Sequence, residues 1–389
     1  MPSLQKLRQR TERFIPLTGF HFDRPLVLFQ SDDWGRVGLR DQEGFEELCD
    51  AGIDLGERPY DLYTLETSDD LGALVSLLKQ HQDSTGRHPC LQMNFIVGNL
   101  DFSQMAAVGY HNIRFLPLAE GFPAGWSRSG LLQAYREGIT GDLLYPALHG
   151  ATHFCRQAVE KNLVEGTERA QLLKKLWRAG TPYIHWRMPW IGYEYWDPER
   201  PEQERFLSAQ KQSDLIGQAV GGFAKLFSTL PRSACAPGYR ADDNTHRAWA
   251  QHGIRVAQSG PGALIPPHFD RHGVLHVCRT IEFEPATDAS CNVDRSVRQA
   301  ERCFEFGLPA IVSVHSINFH STVRDFRTRT LAMFDEFLNA LESRHGDLLY
   351  IHDEDLYEIV RTGTSKMPTG RINVVQKKFV KSRVKRMQA

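Results

Sequence analysis

The chain has 389 residues, 41% hydrophobic and 24% charged, with a formal net charge of -1. That balance supplies a sizeable apolar core and excludes the bulk positive field that gathers nucleic acids or anionic membranes. Seven cysteines with no CxxC spacing argue against a disulfide scaffold, and no stretch reaches the roughly 18 apolar residues of a membrane span or resembles an export signal, so a cytoplasmic location is expected.

In chain order, 26–29 reads as a buried strand, 70–82 as a helix, 91–97 as a strand and 167–179 as a helix. Residues 182–205 mix Pro, Trp, Tyr and charge without periodicity and read as a long insertion loop. Helices are expected over 213–230 and 245–252, the latter capped by Asp242, Asp243 or Asn244, then a strand at 311–314, a helix at 328–344 and a strand at 348–351. Strands alternating with helices imply a mostly parallel sheet, open or closed, in one large α/β domain. The last segment carries Arg371, Lys377, Lys378, Lys381, Arg383, Lys385 and Arg386 with no acid. Such a run is expected to be a solvated tail, with peripheral membrane contact as the alternative.

The chemistry is concentrated in two places. The apolar run from Leu26 ends in two adjacent carboxylates, Asp32 and Asp33, before Trp34 and Gly35. Like charges side by side repel, so a fold that keeps both is expected to give them different work. His149 and His153 lie four apart, a spacing that one helical turn would bring to one face. One Asp oxygen and two neutral imidazoles make a three-ligand site for zinc or a similar divalent ion, with a position left open for water. Asp33 is assigned as ligand and Asp32 as base. Neighbouring side chains of a strand point to opposite faces, so the pair requires the strand to end there, with Gly35 permitting the turn. Taken singly, an Asp-Asp step is more often a turn, and two histidines four apart fall so by accident.

Ser31-Asp32-Asp33-Trp34-Gly35 resembles the first motif of the polysaccharide deacetylase (NodB-homology) family, and His149 to His153 its second. Ala236-Pro237-Gly238-Tyr239-Arg240 resembles the third and Ser313 to Phe319 the last, in the same order along the chain. With Asn94 to Phe102 added, the likeness is to a poorly characterised intracellular branch covering residues 24–360, flanked by an extension (1–23) and a basic tail (361–389). It implies a distorted (β/α) barrel of about seven parallel strands with the site at their carboxyl ends. It further implies Asp33, His149 and His153 as metal ligands, Asp32 as base, His315 as the acid that protonates the leaving amine, and the Tyr239 N–H as oxyanion donor; Arg240, Trp34 and Asn318 join the substrate-site candidates. Three departures stand out: Cys235 replaces the usual Arg of the third motif, Gly150 replaces a hydroxyl residue of the second, and the Asp and Trp of the fourth have no clear counterpart around 256–262.

Trp177, Tyr183, Trp186, Trp190, Tyr193, Tyr195 and Trp196 cluster within twenty residues. Aromatic faces pack on sugar rings, so a carbohydrate platform is one reading, and burial of the loop against the barrel is the expected role of most of them. His268, His272 and His276 also stand four apart, but Pro266-Pro267 and Gly273 break any helix there, and no second metal is expected. His185, His246, His320 and His352 read as satisfied polar residues. The sequence thus predicts a zinc-type hydrolase that removes an acetyl group from an N-acetylated sugar or polysaccharide precursor. An O-acetyl esterase or deformylase on the same metal, or an inactive glycan-binding barrel, are the alternatives.

Overall fold

A computed structural model describes residues 17–262, 264–363 and 372–379. The strands among them are β1 (Leu17–Phe22), β2 (Leu26–Trp34), β3 (Leu91–Ile96), β4 (Gly98–Leu100), β5 (Phe115–Pro117), β6 (Leu144–Gly150) and β7 (Ser233–Cys235). There follow β8 (Val256–Ser259), β9 (His268–Phe269), β10 (Leu275–Cys278), β11 (Ile281–Glu282), β12 (Ala310–His315), β13 (Leu349–Tyr350) and β14 (Val374–Phe379). The main sheet runs β11-β12-β2-β3-β6-β7-β8-β10-β9. Every pairing from β11 to β10 is parallel, and only the edge pair β9–β10 is antiparallel.

The two ends of that path are one stretch of chain. Only Arg279 and Thr280 separate β10 from β11; the Arg279 N–H bonds back to Ser259 O beside β8, and the Thr280 N–H bonds forward to Ile311 O in β12. Residues 275–282 therefore act as a single stave, which with β12, β2, β3, β6, β7 and β8 curls the sheet into a distorted (β/α) barrel of seven parallel staves. The fold read from the sequence is the one observed. β2 and β3 are buried along their whole lengths, as strands covered on both faces must be, and this is why their sequences lack clean alternation.

The barrel interior is polar at depth. Asp353, fully buried at the start of the helix Asp353–Thr362, accepts hydrogen bonds from Gln30 of β2, Ser233 of β7 and Gln258 of β8, with Gln92 of β3 also in reach. Burial raises the carboxyl pKa of Asp353, opposed by these donors. Four staves are thus tied to one side chain beneath the site.

The helices 70–82, 167–179, 213–230, 245–252 and 328–344 expected from sequence are found as Ser68–Leu78, Glu168–Arg178, Ala209–Phe227, Asp243–Gln251 and Arg327–Arg344, and Asp242 caps the fourth by accepting from Thr245 N. The two ends depart from expectation. β1 and β14 pair antiparallel over six residues, and Phe20 and Phe22 bond to Pro267 O and Gly307 O. The extension and the basic segment therefore share a ribbon laid on the barrel, in which Lys377 and Lys378 belong to β14 rather than to a loose tail. Arg371, Lys381, Arg383, Lys385 and Arg386 lie outside the described residues. No helix among the described residues is long and apolar enough to cross a membrane.

Candidate active site

The predicted groups meet at the carboxyl ends of the staves, where a pocket of about 350 Å³ is lined by Asp32, Asp33, His149, His153, Tyr239 and His315 among others. Asp32 and Asp33 reach it together through a bulge. The β2–β3 register shifts between Ser31 and Trp34, and Asp33 sits at φ 74°, a left-handed conformation rare for a side-chain-bearing residue. The extra residue cancels the alternation that would send one carboxylate outward. The strand ends just past the pair, at Trp34, and Gly35 makes the turn as read from the sequence, its N–H held by buried Glu66. β6 shifts register against β3 in the same way, with Phe95 opposite Leu148 and Ile96 opposite Gly150, which leaves His149 unpaired at the rim.

His149 and His153 are not on a helix. His149 ends a strand, His153 lies in the following bend, and the helix Arg156–Lys161 starts only beyond them. What folds this loop is Glu194, a residue of the insertion that sequence reasoning passed over. Its Oε1 accepts from the N–H groups of Ala151 and Thr152 at 2.9 and 3.3 Å. Gly150, at φ 143°, adopts a backbone conformation in which a side-chain-bearing residue is strained, and a Cβ there would also push Glu194 Oε2 aside. Glu194 thus takes the space a hydroxyl side chain would need. Burial pushes its carboxyl up to about 8.

Two clusters share His149: Asp33 with His149 and His153, and Asp32 with His149 and Cys235. The first fits a metal. Asp33 Oδ1 is buried, accepts no hydrogen bond, and lies 3.6 Å from His149 Nε2 and 3.3 Å from His153 Nε2. His149 Nδ1 bonds to Cys235 O at 2.8 Å, the second bond that orients a ligating imidazole and leaves Nε2 its lone pair. Burial lowers the pKa of His153, keeping it neutral. Oδ2 of Asp33 is held by Arg36 at 3.3 Å, and Arg36 stacks 3.8 Å over the Tyr63 ring and donates to Tyr183 OH. Against the burial that opposes it, Arg36 keeps the Asp33 carboxyl well below the usual range. The second cluster does not fit: both Asp32 oxygens are engaged, and burial raises the Cys235 thiol well above its ordinary value, so it stays protonated.

Asp32 is engaged by Arg279, which the sequence reading missed. Its guanidinium grips Asp32 through both oxygens at 2.6 and 2.7 Å. It also donates to Gln30, Gln258, Ser313 and Tyr239 OH. Burial works against ionisation of Asp32, but Arg279 outweighs it and the carboxyl is held far below its usual value. Cys235, whose Sγ is 3.8 Å from Asp32 Oδ2, occupies the third-motif position where an arginine was looked for; the charge arrives instead from the closing stave 275–282. The Arg240 alternative is not realised there: its guanidinium lies 4.6 Å over Trp196 and is not part of the pocket lining.

His315 ends β12 with Nε2 3.8 Å from Asp32 Oδ2 and Nδ1 2.6 Å from Glu284. Burial alone would lower its pKa, but Glu284 and Asp32 outweigh it and raise it to about 9. Glu284, two residues past β11, was not singled out in the sequence. Asn318 lies behind the site, donating to Glu284 and to His315 O. Trp34 is fully buried, its N–H on Ser31 Oγ and its ring stacked on Phe319; neither residue lines the pocket. The Tyr239 N–H closes a turn on Ala236 O at 2.8 Å, so it is not free for an oxyanion in this conformation. The Tyr239 hydroxyl, bonded to Arg279, does face the site.

The aromatic residues of the insertion are divided between the core and the pocket wall. Trp177 and Tyr195 are core residues at 1% exposure, and Trp190 lies under the guanidinium of Arg169. Tyr183, Trp186, Tyr193 and His185 line the pocket, and the rings of Tyr193 and His185 meet His153 at 5.7 and 5.6 Å.

No family model and no curated protein matches this sequence. Among solved structures, the chain is similar to a polysaccharide deacetylase candidate from Mycobacterium smegmatis at 10% identity, over 86% of this chain and 90% of that one, with a TM-score of 0.44. It is similar to a family 4 carbohydrate esterase from Streptomyces lividans at 11% identity, over 83% and 90% of the two chains, TM-score 0.34. A family 4 pseudoenzyme from Bacillus anthracis is similar at 9% identity, over 85% of this chain and 63% of that one, TM-score 0.36.

Proposed function

We propose that this barrel is a metal-dependent hydrolase that removes an acetyl group from the nitrogen of an N-acetylated sugar, as the resemblance of its motifs implies. The observation that carries the reading is the convergence of Asp33 Oδ1, His149 Nε2 and His153 Nε2 on one buried point beside the ionised Asp32. These three residues would hold the ion, and zinc suits a donor set of two imidazoles and one carboxylate. When bound, a divalent ion there lowers the pKa of a water and polarises an acyl oxygen.

The protein's own groups supply the rest. Asp32 lines the pocket and takes the proton that water loses as its oxygen joins the acyl carbon; Arg279 fixes the orientation of the carboxylate. His315, charged at neutral pH because of Glu284, gives a proton to the amine nitrogen as the C–N bond breaks, so acetate and free amine leave. A protonated histidine favours an amide over an ester substrate, since nitrogen departs only once it is protonated whereas an alcohol needs less help. Tyr183, Trp186 and Tyr193 give the pocket aromatic walls suited to the apolar face of a sugar ring.

The test is acetate release from a panel of N- and O-acetylated sugars by metal-stripped protein with zinc, cobalt or manganese restored. Release that requires the ion and is lost in Asp33→Asn supports the reading. No release with any ion overturns it.

A further inference from the structure

Away from the pocket, three side chains that are far apart in sequence meet on the flank of the barrel. Asp270 closes the turn between β9 and β10, and its Oδ1 accepts from the N–H groups of His272 and Val274 at 2.8 and 3.0 Å. That fixes the carboxylate and aims Oδ2 at two imidazoles: His276 Nε2 of β10 at 3.1 Å and His246 Nδ1 of the helix Asp243–Gln251 at 3.9 Å. Ligand atoms of the three residues all lie within 4.8 Å of one another, close enough for small side-chain rotations to bring all three onto one tetrahedral ion. The His246 and His276 rings stand edge to face at 4.6 Å, and His268, anchored by Nδ1 on Pro266 O, stacks on the far side of His276.

A simple hydrogen bond accounts for only half of this. Asp270 and His276 would make a pair without help, whereas His246 at 3.9 Å is too distant to donate and yet presents a ring nitrogen to the same oxygen. The side chains of His246 and Asp270 are 22% and 17% exposed, enough for water to fill a remaining coordination position.

We propose that His246, Asp270 and His276 form a second, structural site for zinc. It would clip the helix that follows the Tyr239 turn to β10, the strand that delivers Arg279, and so brace two walls of the pocket from outside it. The spacing of His268, His272 and His276 gave no reason to expect such a site, because two of the three ligands proposed here, His246 and Asp270, are not in that set.

The experiment counts zinc bound to the purified protein after equilibration with zinc and desalting, and follows the melting temperature with and without chelator. The intact chain is expected to hold two equivalents. The Asp33→Asn/His149→Gln variant should keep one, and adding His246→Gln should remove it. Chelator should lower the melting temperature of the double variant by several degrees and leave the triple variant unmoved. Should the double variant not fold, His246→Gln alone decides: a fall from two equivalents to one supports the site, and an unchanged count overturns it. A double variant that is folded but empty of zinc also overturns it. Loss of the catalytic-site reading is a separate outcome, seen when Asp33→Asn/His149→Gln leaves the intact chain's count unchanged.

Discussion

Replacing Arg279 by methionine should expose how far the candidate base depends on the closing stave. Arg279 is fully buried and makes six side-chain hydrogen bonds, two of them to Asp32 and the others to Gln30, Gln258, Ser313 and Tyr239. Methionine preserves the aliphatic stem and removes the charge, which leaves a carboxylate at 3% exposure with Asn94 as its remaining strong donor. Stripping one partner from a buried ion pair costs about 3–5 kcal/mol, and Asp32→Asn should cost a similar amount because it leaves the guanidinium uncompensated. Each change damages the same interaction, so the double variant should fall short of the summed losses by about 2–3 kcal/mol. The assay is guanidinium denaturation of metal-free protein at neutral pH, followed by circular dichroism and tryptophan fluorescence. Arg279→Lys should recover only part of the loss, since an ammonium cannot reproduce the two-pronged contact. Additivity of the two single variants to within about 0.5 kcal/mol would show that Asp32 is stabilised by something other than Arg279 and would refute the reasoning.

Other predictions follow from the same geometry. His315, raised to about 9, contributes stability and an available proton below its unfolded value near 6.5, and both are lost as pH rises through about 9. Glu284→Gln should therefore draw the alkaline limb of kcat/KM down towards neutrality, and an unmoved limb would remove His315 from the proton-donor role. Glu194→Ala should release the loop between the two histidines and weaken zinc binding by roughly 10–100-fold, measured by competition with a chromogenic chelator, with Glu194→Gln keeping most of the affinity through its remaining carbonyl oxygen. Gly150→Ser, which restores the residue type usual in the motif, should do harm here because its Cβ collides with Glu194; unchanged metal affinity would contradict that. Asp353→Ala should cost about 2–4 kcal/mol by orphaning the buried donors of Gln30, Ser233 and Gln258, read as a lower denaturation midpoint at unchanged slope.

Asp32, Asp33, His149, His153 and His315 were legible because each ends a strand or sits in the loop just past one, and their residue types carry the chemistry. The helices Ser68–Leu78, Glu168–Arg178, Ala209–Phe227 and Arg327–Arg344 were legible in the sequence, whereas Val293–Glu305, 13 residues long, was missed. The short staves β7, β8, β10 and β11, of two to four residues each, were not, since so short a run leaves no period to read. Trp34 and Asn318 were misplaced into the pocket because neighbourhood in sequence to a site residue does not fix the face a side chain takes.

The local code determined an alternating α/β chain, two carboxylates and two imidazoles fit to share an ion, and a histidine at the end of a late strand. Only tertiary structure decided which groups tune them. Arg279 stands 247 residues from Asp32, Glu284 stands 31 from His315, and Glu194 stands 43 from Ala151. Such partners are chosen by which staves become neighbours when the barrel closes, and no spacing along the chain encodes that. The same closure brings Arg279 to Asp32 from a stave remote in sequence, because a buried carboxylate requires a positive charge within reach and is indifferent to where along the chain it originates.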